Sequence, residues 1–420
     1  MWEAIRENKT NSVILLMVLA VVLAGLGAVI GLYFAGASSI DGLFFGIAIA
    51  MVIWIIMLLT SFFGGEQILL RTAGAREVQH SEAPQLFNIV EEMQIASGLS
   101  ALPKVYIIDT PEPNAFAVGR SPERAAVAVT SGLMAKLNRD ELQGVVAHEV
   151  GHIVNRDTLF MTIVGVTVGA VVIISDMFLR GLWYSSRSRR NLSRDNGKMG
   201  AIIMVVSILA AILAPLLAQI MYFACSRKRE YLADASAAKF TRYPEGLASA
   251  LQKISGYQGD NVETSRTHAP MYIVNPLAAK GKTGGLFSTH PSVEDRIRIL
   301  RGMGGDASFA QYEEAYKSLH PGEKMIDNRT LVESEPTETR EASAESTKAS
   351  EKKKWRDVQN ILQQGEGYGM LMCMCGLNMK VPRNFEDETI ECPKCGRENR
   401  VPAEFLAAAA ALEQSKTIHQ

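Results

Sequence analysis

The stretch "VVAHEVGHIVNRD", residues 145–157, decides how this chain is read. Just upstream, Asn138 is followed three residues later by Glu141, a capping-box pattern that starts a helix. On that helix His148 and His152 stand four apart, about 40° around the axis, so their imidazoles converge. Two converging imidazoles suit a zinc ion. Glu149 lies about 100° from His148, within reach of a water at the same point. A zinc ion there would lower the pKa of that water toward about 7, and Glu149 would take its proton, leaving a hydroxide to attack a polarised peptide carbonyl. The competing reading is a helix with solvated histidines. Gly144 and Gly151 weigh against it, because each costs about 1 kcal/mol against Ala inside a helix and so implies close approach of another element. The charged residues also sit within an apolar stretch, where a buried His-Glu-His set without a partner is expensive.

A catalytic zinc takes three protein ligands and keeps one position open. A metzincin-type extension would need glycine at 155 and histidine at 158; the chain has Asn155 and Thr158, which excludes that class. Candidates for the third ligand further along are Glu230, Asp234, His268 and His290. Glu230 and Asp234 stand four apart in "KREYLAD" and face one way. They offer one carboxylate for zinc and one to orient a ligand histidine. A solvated charged face is the bland alternative, which Asp234, set among the apolar residues of "YLADASAA", disfavours.

The surrounding chain is apolar for its 420 residues: 48% are hydrophobic, 21% charged, and net charge is -1. That balance gives no electrostatic pull toward nucleic acid. The apolar residues cluster. Residues 12–40 and 42–65 carry no charge, and each is long enough for the roughly 20 helical residues a bilayer core requires. A cleaved leader is not expected, because the second run follows the first after a very short turn. Residues 199–226 form a third such run, with Pro215 a kink that membrane helices tolerate. Residues 158–175 form a shorter fourth, ended by Asp176 and Arg180. Arg6 and Lys9 precede the first span, and Arg71 and Arg76 follow the second, which places the N-terminus and residues 66–157 in the cytoplasm. The basic loop 185–198 conflicts with that: either the hairpin 158–226 inserts only partly, or the charge rule fails there.

The expected organisation is a two-span membrane anchor (1–65), the first half of the metal-binding domain (66–157), a hydrophobic hairpin (158–226), the second half (227–327), a disordered linker (328–354) and a small module with a flanking helix (355–420). In the first half, "EAPQLFNIVEEMQIASGL" predicts a helix, "KVYIID", "NAFAVG" and "AAVAVT" predict strands, and "RSPER" a turn. "SRKREYLADASAAKFT", "YPEGLASALQKISGY" and the segment after Pro291 predict helices. The linker is rich in Glu, Ser, Thr and Lys and nearly free of large apolar residues.

Four of the five cysteines, Cys373, Cys375, Cys392 and Cys395, fall in "CMCGLNMKVPRNFEDETIECPKC". The second pair is a CPxC knuckle; the first pair is tighter. Four thiolates make a closed structural zinc site, and a module this small lacks the core to fold without metal. Disulfides are disfavoured on the cytoplasmic side. Cys225, at the end of an apolar run, reads as a membrane-core residue.

"HEVGHIVNRD", "REYLADASAAKFT", "PNAFAVG" and "STHPSVEDRI", in the expected order, resemble the HtpX-type zinc membrane metalloproteases, relatives of the CAAX prenyl proteases, over residues 1 to about 302. The resemblance implies a multi-pass α-helical membrane protein with a mainly α (α+β) gluzincin-like zinc protease domain, to which this chain adds the zinc ribbon. It implies that His148, His152 and Glu230 bind the catalytic zinc, that Glu149 is the general base, and that Asp234, with Asn155, orients the ligands from behind. The strand Asn114, Ala115 and Phe116 would bind an extended substrate backbone, and His290 and Arg296 would stabilise the oxyanion. The implied activity is endopeptidase cleavage of misfolded or damaged membrane proteins, a quality-control and stress-response role. The implied place is the cell (inner or plasma) membrane, with catalytic domain and C-terminus facing the cytoplasm. Expected partners are membrane protein substrates and the lipid bilayer, with no nucleic acid. Expected cofactors are two zinc ions, one catalytic and one structural. Two alternatives stand beside this. A prenyl-protein protease would want a larger intramembrane chamber than four spans make. An inactive zinc-binding scaffold is disfavoured by the complete set His148, Glu149, His152 and Glu230.

Overall fold

Two long helices open the chain: α1, Trp2–Ala35, and α2, Ile40–Thr72. Ser39 caps α2, its hydroxyl accepting the N–H of Gly42 at 3.0 Å. The pair packs through small residues, the close approach by which apolar helices associate in membranes. Phe44, Phe45, Val52, Ile56 and Phe63 face outward, an apolar surface too large for water alone to cover favourably. Among the described residues α2 is the one helix long and apolar enough to cross a membrane, and Leu16–Leu32 of α1 is a shorter apolar run. The computed structural model describes residues 2–35, 39–159, 208, 227–257, 291–332, 334–343, 357–361, 369–382, 385 and 387–402. Residues 1–77 with 88–348 form one compact unit, and residues 78–87 with 349–420 form a second.

A four-stranded sheet follows α2 in the order β1-β2-β4-β3. Its strands are β1 (Ala75–Glu77), β2 (Lys104–Ile108), β3 (Ala115–Gly119) and β4 (Ala125–Thr130). Between β1 and β2 lies α3, Pro84–Ser97, with Gly98 at φ +71 just past its end. β2 and β4 run parallel and the other pairs antiparallel. β4 is internal and buried throughout, which is why its sequence is an unbroken apolar run. β3 is an edge strand. The short β1 and the short helix α4, Ser131–Lys136, carry too few residues to show a period in sequence.

The motif helix is α5, Arg139–Val154. Asn138 and Glu141 form the expected capping box, with bonds of 2.9 and 2.8 Å. α5 is buried along almost all its length and packs against β3 and β4. Both its glycines are contact points. A Cβ on Gly144 would lie 2.6 Å from the backbone nitrogen of Leu247, and one on Gly151 would lie 3.2 Å from the carbonyl oxygen of Ala233. Those neighbours belong to α7, Pro244–Ser255, and to α6, helical over residues 227–241. α8, Val293–Arg301, packs on α7, and α9, Phe309–Leu319, packs on α8.

One expectation changes over part of its range. Residues 328–354 read as a disordered linker, yet α10, Asn328–Val332, is helical and residues 334–343 lie as a strap on the domain; residues 344–354 lie outside the described residues. The strap is hydrophilic because hydrogen bonds hold it: Arg340 Nη2 reaches Asp140 Oδ1 at 2.8 Å, and the Ser343 N–H reaches Asp140 Oδ2 at 2.8 Å. The hairpin expected over 158–226 lies outside the described residues beyond 159, save for 208. His268, His290, Cys225 and the alanine-rich helix after residue 402 also lie outside them.

In the second unit, β5 (Gly369–Met372) pairs with β6 (Asn378–Val381), and β7 (Thr389–Glu391) with β8 (Glu398–Arg400), as two antiparallel hairpins.

Candidate active site and cysteine cluster

His148 and His152 project from one face of α5, and Glu230 meets them from α6. Glu230 Oε2 lies 3.6 Å from His148 Nε2, and Oε1 lies 3.6 Å from His152 Nε2. All three ligand atoms fall within 4.8 Å of one another, and all three side chains are buried. A spacing of 3.6 Å is too long for hydrogen bonds. It is close to the roughly 3.4 Å that separates nitrogen and oxygen ligands on a tetrahedral zinc ion. The donor set therefore fits zinc in chemistry and in spacing.

The far side of each histidine is held by a carboxylate. His148 Nδ1 lies 2.9 Å from Asp234 Oδ1, which fixes the tautomer and frees Nε2 as a ligand. Arg296 braces that carboxylate with a two-pronged pair of bonds, from Nε to Oδ2 and from Nη2 to Oδ1, each 2.7 Å. Burial opposes the Asp234 charge, yet Arg296 and His148 hold its carboxyl below the ordinary carboxylate range. His152 Nδ1 lies 3.3 Å from Asp157 Oδ2, and Arg229 Nε stands 3.7 Å from the other oxygen of that carboxylate. Burial likewise opposes a charge on His148, but Asp234 and Glu230 outweigh it and raise the metal-free imidazole to about 9.

Glu149 is buried beside the ligands. Burial pushes its carboxyl up, and the two histidines and the backbone N–H of Ala117, which donates to it, pull the other way. That contact ties the motif to the sheet edge. Thr130 N–H donates to the Asn114 carbonyl at 2.9 Å. Bonded pairs alternate along an antiparallel ladder, so Phe116 and Val118 also face β4. The backbones of Ala115 and Ala117 then lie along the open edge, where the Asn114 side chain accepts the Ala115 N–H at 3.0 Å.

Two expected roles change. Arg296 does not face an open site: it is fully buried, two of its nitrogens engage Asp234, and Nη1 stands 3.5 Å from Glu230 Oε2. It is a brace behind the ligands instead of an oxyanion donor. Asn155 ends α5 and donates to Ser236 Oγ at 3.4 Å, while Asp157 is the residue that meets His152. Sequence reasoning missed Asp157 although it closes the motif; a carboxylate at the mouth of an apolar run was the available signal. The edge residue nearest the chemistry is Ala117, one step past the expected 114–116.

The four cysteines also converge. Their sulfurs lie within 4.8 Å of one another, with Cys373 and Cys395 at 3.6 Å and Cys375 and Cys392 at 3.6 Å. These distances exclude disulfides and approach the roughly 3.8 Å of thiolates sharing a tetrahedral zinc. The two hairpins present them alike. Gly376 N–H bonds the Cys373 carbonyl, and Gly396 N–H bonds the Cys392 carbonyl, both at 2.8 Å. Each glycine has positive φ, +81 and +69, so the tighter first pair still makes a knuckle.

A buried zinc-type ligand triad, a carboxylate at its side and a sheet edge beside it define a metallopeptidase. The Peptidase family M48 model matches residues 80–304. The chain is 44% identical over 303 residues to a protein named Protease HtpX homolog from Dictyoglomus thermophilum, covering 72% of this chain and 95% of that one. It is 39% identical over 303 residues to the Streptococcus uberis protein of that name, covering 72% and 100%. A solved structure, that of S. mikatae Ste24p, aligns with TM-score 0.35 and 19% identity over 69% of this chain and 65% of that one. The chain belongs to peptidase family M48 and is a zinc membrane metalloprotease.

Proposed function

We propose that the chain is a multi-pass endopeptidase of the cell membrane that cleaves misfolded or damaged membrane proteins on the cytoplasmic side. The observation that carries the catalytic part is the meeting of His148, His152 and Glu230 next to Glu149. When bound there, zinc supplies a Lewis acid that acidifies water and polarises the substrate carbonyl. Glu149 takes the proton of the attacking water and passes it to the leaving amine. Asp234 and Asp157 hold the imidazoles in the ligand tautomer, and Arg296 keeps Asp234 charged. The edge of β3 away from β4 offers the Ala115 and Ala117 carbonyls to an extended substrate backbone, which suits cleavage with little sequence preference. Burial of the whole set keeps bulk water from competing.

The membrane part rests on α1, α2 and the apolar runs at 158–175 and 199–226, and the orientation on Arg6, Lys9, Arg71 and Arg76. The relatives' name, Protease HtpX homolog, fits this reading. Cys373, Cys375, Cys392 and Cys395 would hold a second, structural zinc. No surface for nucleic acid is expected. The test is cleavage of casein and of a detergent-solubilised membrane protein by wild type and Glu149→Ala, both loaded with zinc. Loss of cleavage in the variant is expected; equal activity in both would sink the catalytic assignment.

A further inference from the structure

The strap 334–343 joins the two helices that carry the metal-ligand set. Arg340 Nη2 donates to Asp140 Oδ1 at 2.8 Å and to Gln143 Oε1 at 2.7 Å, both in the first turns of α5. Its Nε donates to the carbonyl oxygen of Thr241, the last residue of α6, at 3.0 Å. Its backbone N–H bonds the Arg242 carbonyl at 2.8 Å, and its guanidinium lies 4.9 Å from the centre of the Tyr243 ring. One planar group thus bonds the helix of His148 and His152 and the helix of Glu230 and Asp234 together. The anchor is built: Asp140 is buried, and its second oxygen accepts from both N–H and Oγ of Ser343, at 2.8 and 3.0 Å. The strap is also tied to the loop after α8, by Ala307 N–H to the Thr337 carbonyl and Thr337 N–H to Asp306 Oδ1, both 2.8 Å.

The family match ends at residue 304, so this clamp is supplied from beyond it. We propose that Arg340 is a positioning residue for the catalytic zinc, holding α5 and α6 in the register at which the histidine pair meets Glu230. α5 and α6 touch closely at Gly151, near the ligands. A second fixed point at the N-terminus of α5 removes the remaining freedom to pivot about the first. Metal ligands need placement to within about 0.5 Å, and the rigid fork of Arg can bond two helices at once where the Lys point charge cannot. The proposal rests on the zinc site assigned above.

The experiment uses the full-length, zinc-loaded chain as wild type, Arg340→Ala, Arg340→Lys and His148→Ala. It reads the zinc content, the chelator concentration that half-inactivates, kcat and KM per active site, and the melting temperature. Arg340→Ala is expected to need about tenfold less chelator and to lose about tenfold in kcat with KM within about twofold, in line with residues that orient ligands from behind. Arg340→Lys should recover part of both. A variant that melts earlier yet keeps wild-type chelator resistance and kcat would overturn the proposal, since the strap would then only stabilise. If Arg340→Ala does not fold, Gln143→Ala removes one of the clamp bonds and is read the same way, with a smaller loss expected and no loss counting against. Retention of both zinc ions by His148→Ala would instead overturn the site assignment, separately from the clamp.

Discussion

The two candidate metal sites differ in what holds them. The three ligands of the catalytic site project from α5 and α6, long buried helices, and Asp234, Arg296 and Asp157 brace them from behind. The four cysteines sit on the turns of two short hairpins, around a cluster whose described buried residues are Cys373, Met379 and Cys392. The first scaffold carries its own hydrophobic core. The second buries little apolar surface among its described residues, so a bound metal would take the place of a core. The first offers three ligand atoms, which would leave a bound zinc one open position; the second offers four thiols, which would close one.

The predictions separate the two regions. The largest effect belongs to Glu149→Gln, which removes the base while leaving the ligands: kcat on casein should fall about a thousandfold, within the range for lost general-base catalysis, with catalytic zinc retained. Loss of zinc along with activity would show that Glu149 is structural. Next, stripping metal with a chelator should make amides of residues 369–402 exchange freely while those of α5 stay protected, read by hydrogen exchange and mass spectrometry. Equal protection in both regions would erase the contrast. Cys392→Ser with Cys395→Ser should lose one zinc and keep cleavage of casein, read by metal analysis beside the assay.

Smaller effects test the braces. Asp234→Asn should weaken zinc retention at the catalytic site by about 10–100-fold, and Asp157→Asn, whose contact is the longer one, should weaken it less. A larger loss from Asp157→Asn would reverse that ranking. Proton competition gives the last. His148 is raised to about 9 in the metal-free site, so below that pH the site holds a proton that zinc must displace. Zinc affinity should therefore fall by about tenfold per pH unit as pH drops from 9 toward 7, and level off above it. An affinity flat across that window would mean the imidazole is neutral there.

Much of the site was legible before the fold. The capping box at Asn138, the spacing of His148 and His152 and the carboxylates at Glu230 and Asp234 are local patterns, and α5 and α6 form where those patterns place them. Arg296 was found by its motif but not by its task, because which side of a carboxylate an arginine approaches is set by how α8 packs. The strap was missed for a physical reason. A polar segment rich in Glu, Ser and Thr has no periodic apolar face, and its order comes from Asp140, a buried acid some 200 residues earlier in the chain.

By itself the sequence determined the helical register of His148, Glu149 and His152, the strands β2, β3 and β4, the apolar α1 and α2, and the grouping of four cysteines into one short module. Those features depend on bonds and side-chain spacing within a few residues, which the chain carries locally. Tertiary structure alone decided that Glu230 closes on the histidine pair, that Asp157 and Arg296 stand behind it, that Ala117 meets Glu149, and that Arg340 clamps the two ligand helices. Each of these is a meeting of distant segments, fixed by which buried faces pack and which buried charges must be satisfied.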